Sequence, residues 1–233
     1  MTTTTSTTTS TTRPHRTIAR ALALVAVAVA PLPMLSAPAG ADLPLADPGA
    51  FWCEGQPATI VGTNAADVIW GTAGNDVIVA LGGADTVYGS LGHDRICGGA
   101  GHDRLIGNDG DDIVRGGWGD DRIYGMAGMD LLMGDPGNDS LDGSTGTDWI
   151  YGDDGNDWMT GDQGQDLLVG GSGRDSLDGD TDDDSSSDWM AGGTGDDLLL
   201  SADGSLAADV VSGEDGVDTC EADDDDWVNT CEA

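Results

Sequence analysis

Between residues 62 and 178 the apolar positions recur at a fixed interval of nine. The chain divides there into 13 consecutive blocks without an insertion. The eighth slot of each block is always apolar: Ile69, Ile78, Val87, Ile96, Leu105, Val114, Ile123, Leu132, Leu141, Ile150, Met159, Leu168 and Leu177. It sits between two variable residues. That alternation predicts a very short strand over slots seven to nine, with the middle side chain inward. The first six residues of each block then form a turn. Gly occupies slot one in every block but one and slot four in every block but one, with Ala80 and Ala65 the exceptions. Gly in slots one and four is expected to supply positive φ and to leave carbonyl oxygens uncovered.

One nonapeptide cannot bury its single aliphatic side chain. Two blocks, 18 residues, can make a full turn of a flattened solenoid with two opposed parallel strands. Odd blocks then stack on odd and even on even, and slot eight from both sides fills a thin core. The expected fold is all-β, a parallel β-roll of 18 residues per turn. The period slips after Asp178, where GDTDDDSSSDWMA is four residues too long. Asp188 and Met190 take slots six and eight there, Asp197 and Leu199 do so in GGTGDDLLL, and Asp218 and Cys220 do so in GEDGVDTCE. The expected organisation is therefore a linker and N-terminal cap over 42–61, regular repeats over 62–178, irregular repeats over 179–221 and a C-terminal cap over 222–233. Phe51, Trp52, Ile60 and Val61 are expected to cover one end and Trp227, Val228 and Cys231 the other, because an open solenoid end exposes core and strand edges.

The polar pattern is equally regular. Slot six is Asp in all 13 blocks: Asp67, Asp76, Asp85, Asp94, Asp103, Asp112, Asp121, Asp130, Asp139, Asp148, Asp157, Asp166 and Asp175. Stacking by parity places them in two ladders, one along each edge. Carboxylates about 5 Å apart cannot all stay ionised without counter-ions. Carbonyls and carboxylates together are the donors a hard cation such as Ca²⁺ prefers. Here the chain resembles the hemolysin-type calcium-binding (RTX) repeats, of consensus G-G-x-G-x-D-x-aliphatic-x. GGAGHDRLI, GGWGDDRIY and GGSGRDSLD match every fixed slot. The resemblance is close over 62–178 and loose over 188–221. It implies a β-roll in which turn carbonyls and the slot-six carboxylates, with Asp188 and Asp197, share Ca²⁺ between adjacent turns, roughly 12 ions in all. Slot two departs from the consensus, being Gly only at 99, 117 and 171; elsewhere it includes Asp135, Asp153 and Asp162.

Composition sharpens this picture. The 233 residues include 38 Gly and 43 Asp plus Glu, and the net charge is −35. Beyond residue 41 the 43 acids face five Arg, a net of −38. Such a chain repels itself without counter-charge and lacks the basic footprint that nucleic acid or an anionic membrane demands. Residues 1–41 read as a secretory signal peptide: Arg13, Arg16 and Arg20, then an apolar run over 21–35, then Ala39-Gly40-Ala41. That run is short and broken by Pro31 and Pro33, so no membrane span is expected. With its leader the chain resembles small exported repeat-only proteins of high-GC Gram-positive bacteria, and a secreted location is expected. Cys53, Cys97, Cys220 and Cys231 allow three disulfide pairings; position favours Cys53 with Cys97 and Cys220 with Cys231.

No catalytic constellation emerges, and the protein is not expected to be an enzyme. His93 and His102 both fall in the variable fifth slot and read as turn filler. A phosphate-binding Gly loop needs a Lys, and the chain has none. Asp180–Asp184 begins like an EF-hand loop but lacks its Gly and its closing Glu. The outward slots seven and nine of the even strands are the more apolar, with Leu131, Met133, Trp149, Tyr151, Leu167 and Val169. This face is the expected place for self-association or a protein partner, and a structural or adhesive surface role is the alternative to a purely calcium-binding one.

Overall fold

In the computed structural model the described residues are 51–179, 186–201, 209–222 and 226–231. The leader expected over 1–41, the linker over 42–50 and the Asp180–Asp184 segment lie outside them. Short parallel strands build two sheets, of nine and ten strands, and there is no helix among the described residues. The nine-stranded sheet holds the odd blocks, starting from Val68–Trp70 and ending at Thr219–Glu221. The ten-stranded sheet holds the even blocks, bounded by Ile60–Val61 and Trp227–Asn229. Register follows the 18-residue interval: Leu105 pairs with Ile123, Ile123 with Leu141, and Leu141 with Met159. The β-roll fold expected from the period is the fold observed.

Slot eight forms the core. From Ile78 to Leu177 each of these side chains is fully buried, and Met190, Leu199 and Val211 continue the stack beyond the regular repeats. At the N-terminal end Ile60 packs against this core, whereas Phe51 and Val61 stay exposed. Trp227 and Val228 are exposed on the last rung, while Cys231 packs against the core. Both position-favoured disulfides are present. Cys53–Cys97 ties the Trp52–Pro57 hairpin region to the roll, and Cys220–Cys231 closes the last turn.

The strands are longer than slots seven to nine. Thr86–Leu91, Arg104–Asp109 and Trp158–Gln163, among others, run six residues, through slot three of the following block. The ladder survives because slot two bends the backbone in register from the third block onward. Slot two has positive φ in all blocks from the third to the thirteenth, including Leu81, Asn108, Met126 and Asp153. Slot one does not, so its Gly has a different cause. A Cβ on Gly98 would lie 2.6 Å from Asp103 Oδ2 and 2.6 Å from the Gly116 carbonyl oxygen one turn up. Slot one is Gly because a carboxylate and a neighbouring turn pack directly on its Cα. In slot four the expected positive φ holds for most blocks, as at Gly101 and Gly119.

Candidate metal centre

From the third block on, the bends place the slot-six Asp at a sheet edge with its side chain turned inward. Asp85 through Asp175 are at most 3% exposed, as are Asp188 and Asp197. Asp76 is 6% exposed, and Asp67 lies nearer the surface. One bond repeats throughout: the N–H of each Asp donates to Oδ1 of the Asp one turn later. Sixteen such bonds, 2.7–3.1 Å long, make two continuous ladders. One runs from Asp67 through Asp175 to Asp197 and Asp218. The other runs from Asp76 through Asp166 to Asp188, Asp209 and Asp226. Each candidate named from the sequence stands in one of these ladders. Asp209 and Asp226 stand there too, although the spacing around them hides the motif.

The second carboxylate oxygen is the unusual atom. Oδ2 of Asp85, Asp94, Asp103, Asp112, Asp121, Asp130, Asp139, Asp148, Asp157, Asp175, Asp197 and Asp218 is buried and accepts no hydrogen bond. An ionised oxygen so placed costs several kcal/mol, of order 1–3 or more. Loss of solvent is the main effect on these carboxyls. It pushes Asp139 and Asp148 up to about 8, Asp112, Asp121 and Asp157 up to about 7, and Asp130 and Asp175 up to about 6. The single N–H bond opposes the shift, and stacked Asp neighbours reinforce it for most of them.

The first two rungs differ. Thr63 and Thr72 occupy slot two without the positive φ found later. The Thr72 N–H and Oγ1 both donate to Asp76 Oδ2, at 2.7 and 2.8 Å, and Thr63 does the same for Asp67 Oδ2. Burial alone would raise the Asp76 pKa, but these bonds and one from Thr59 Oγ1 outweigh it and hold the carboxyl below its ordinary value. At the twelve Asp named above slot two supplies no donor to the carboxylate, and Oδ2 is left unmet.

Slot five is more than filler. His93 Nδ1 accepts the Asp111 N–H at 2.8 Å, and His102 Nδ1 accepts the Asp120 N–H at 2.8 Å. Asn75, Asp111, Asp120, Asn138, Asn156 and Asp196 accept in the same way from the next turn. The sequence signal was there: slot five is rich in short side chains that carry an acceptor.

What could these edges hold? From Gly89 to Gly170 a buried carboxylate oxygen faces each slot-one Gly, with the Gly carbonyl of the next turn beside it: at Gly89 the two approach to 2.5 and 2.6 Å of the missing Cβ. Carboxylate and carbonyl oxygens, without nitrogen or sulfur, suit a hard divalent cation. Among the described residues no three His, Cys, Asp or Glu side chains converge on one point. A cation there would have to draw on main-chain carbonyls as well as carboxylates.

Fold and edge together define a carboxylate-laddered parallel β-roll. The family model for the RTX calcium-binding nonapeptide repeat matches residues 61–96, 98–132, 133–168, 160–187, 185–219 and 201–226. The chain belongs to that repeat family, and its repeats and roll imply Ca²⁺ binding. None of the curated proteins matches the chain. Among the described residues no helix is long and apolar enough to cross a membrane.

Proposed function

We infer that this is an exported protein whose slot-six Asp ladders hold Ca²⁺ between stacked turns, and whose folding is coupled to external calcium. The observation that carries the reading is the row of buried, unmet Oδ2 atoms. Each asks for a positive partner that no side chain supplies. Roughly 12 divalent ions would bring about +24 charges to a chain whose repeat-bearing part carries −38, which cuts the net charge to about −14 and lets each ion bridge carboxylates that otherwise repel. Extracellular modules often bind Ca²⁺ at about 0.1–1 mM, so calcium met outside the cell serves as the folding signal. The two disulfides and the targeting segment support export.

The test is far-UV circular dichroism of residues 42–233, oxidised and titrated with Ca²⁺ from an EDTA-treated start. The expected result is a cooperative gain of β signal that Mg²⁺ fails to reproduce. A spectrum already β-rich in EDTA and indifferent to Ca²⁺ would overturn the coupling and leave disulfides and core as what holds the roll.

A further inference from the structure

From Leu131 onward the outward face of the ten-stranded sheet carries an uncharged, largely apolar strip on a protein of net charge −35, with Arg95 and Arg115 on earlier strands and Asp153 and Glu214 in the slot-two row that flanks it. Its slot-seven side chains form a row in parallel register: Ile113, Leu131, Trp149, Leu167, Trp189, Val210 and Trp227. From Leu131 to Trp227 neither this row nor the slot-nine row beside it contains a charged residue. The three Trp are 45%, 49% and 73% exposed, and each stands two strands from the next. Two strand spacings are about 10 Å. Between Trp149 and Trp189 lies an open trough of about 310 Å³ with Leu167 in it. Thr147, Gln165 and Ser187, all neutral donors and acceptors, line the trough. The ionisable residue there, Asp166, is buried in the ladder.

We propose that this row is a binding strip for a neutral β-1,4-linked glycan chain. Such a polymer presents the same face of every second sugar at close to the interval between the indoles. Its apolar ring faces suit indole surface, with a polar rim left over for hydroxyl groups. The trough supplies that rim through Thr147, Gln165 and Ser187. Charge decides against the other occupants. A second copy of this chain brings the same exposed acids that flank the strip, Asp153, Asp154, Glu214 and Asp215, against themselves, and an anionic polymer is repelled in the same way. A neutral polymer meets neither penalty. The parallel ladder holds the Trp positions at fixed spacing, so little ordering entropy is lost on binding. The strip goes beyond the calcium reading and needs only the folded roll.

The test uses the oxidised protein in saturating Ca²⁺, with circular dichroism verifying the fold of each variant. Binding is measured by co-sedimentation with microcrystalline cellulose and with chitin, and by Trp emission during titration with cellohexaose. The wild type should bind saturably. Trp149→Ala and Trp189→Ala should each weaken binding about tenfold, and Trp158→Ala, on the opposite sheet, should leave it unchanged. A β-rich wild type that binds none of the three glycans overturns the proposal. So does an equal loss in Trp158→Ala. Sedimentation velocity that finds a dimer abolished by Trp189→Ala assigns the face to a second copy instead.

Discussion

If buried charge is what keeps the metal-free chain from folding, acid should replace calcium. Asp139 and Asp148 have carboxyls raised to about 8 in the roll, against about 3.9 in an unfolded chain. At about 1.4 kcal/mol per unit, ionising either one inside the roll costs about 5 kcal/mol at pH 8. Two such groups match the whole stability of an ordinary domain, about 5–15 kcal/mol. A pKa raised by folding contributes stability that is complete below the unfolded value and is lost as pH rises through the folded value. The window here runs from about 4 to about 8. In EDTA with disulfides intact, lowering the pH from 8 to about 4.5 should therefore bring up β signal without metal. Asp148→Asn sharpens the test. The new side chain's Oδ1 can still accept the Asp130 N–H, at 2.8 Å in the native chain, and the charge is gone. After a cost of about 1–3 kcal/mol for a buried amide N–H₂ without a partner, the variant should still fold at higher pH than the wild type in EDTA. In Ca²⁺ the same variant should be the less stable one. Circular dichroism against pH, with and without Ca²⁺, reads both signs. An apo signal that falls on acidification, or an Asp148→Asn variant weakened equally in both conditions, would refute the reasoning.

Other consequences can be checked separately. Thr72→Val removes the Oγ1 bond to Asp76 and should cost about 2 kcal/mol, moving the Asp76 carboxyl upward in an NMR pH titration. Because the Asp76 pKa is lowered, its contribution is present above the unfolded value and fades as pH falls, opposite to Asp148. Gly155→Ala would set a methyl on the Gly137 carbonyl oxygen and should cost about 3 kcal/mol or more in thermal melts. Gly82→Ala meets nothing closer than 3.5 Å, has no positive φ, and should stay within about 0.5 kcal/mol of wild type. Replacing Cys53 and Cys97 by Ser opens a 44-residue link and should cost about 4 kcal/mol. Hydrogen exchange should then show faster opening of Ile60–Val61 and Val77–Val79 while Leu198–Leu200 stays protected.

Much of the roll was legible in the sequence because one slot does one job. An invariant aliphatic in slot eight and an invariant Asp in slot six can only be reconciled with a short inward strand and an edge ladder. Residues whose role depends on the neighbouring turn were harder to read. Gly98 looked like a conformational Gly, yet its reason is the Asp103 carboxylate and a carbonyl 18 residues away. Positive φ belongs to slot two as well as to most slot-four Gly, and in slot two Leu81, Asn108 and Met126 accept a strained backbone that the family consensus meets with Gly. His93 and His102 had no evident task until their amide partners in the next turn were in place. Asp209 and Asp226 escaped because the insertions around them break the count by which the others were found.

The Asp ladder has a direction. Each slot-six amide is left open by its own turn, and the turn that follows in the chain carries the carboxylate that accepts it. Addition at the C-terminal end therefore satisfies slot-six amides already built, while the added turn's slot-five and slot-seven amides find their acceptors in the turn before it. A chain that emerges amino-terminus first, as any exported chain threaded from that end does, presents its rungs in the order in which they can close. The Thr-satisfied Asp67 and Asp76 stand at the start of that order, a seed whose own carboxylates are met within their blocks. The Asp ladder can then be completed in chain order, rung by rung, from the end that emerges first.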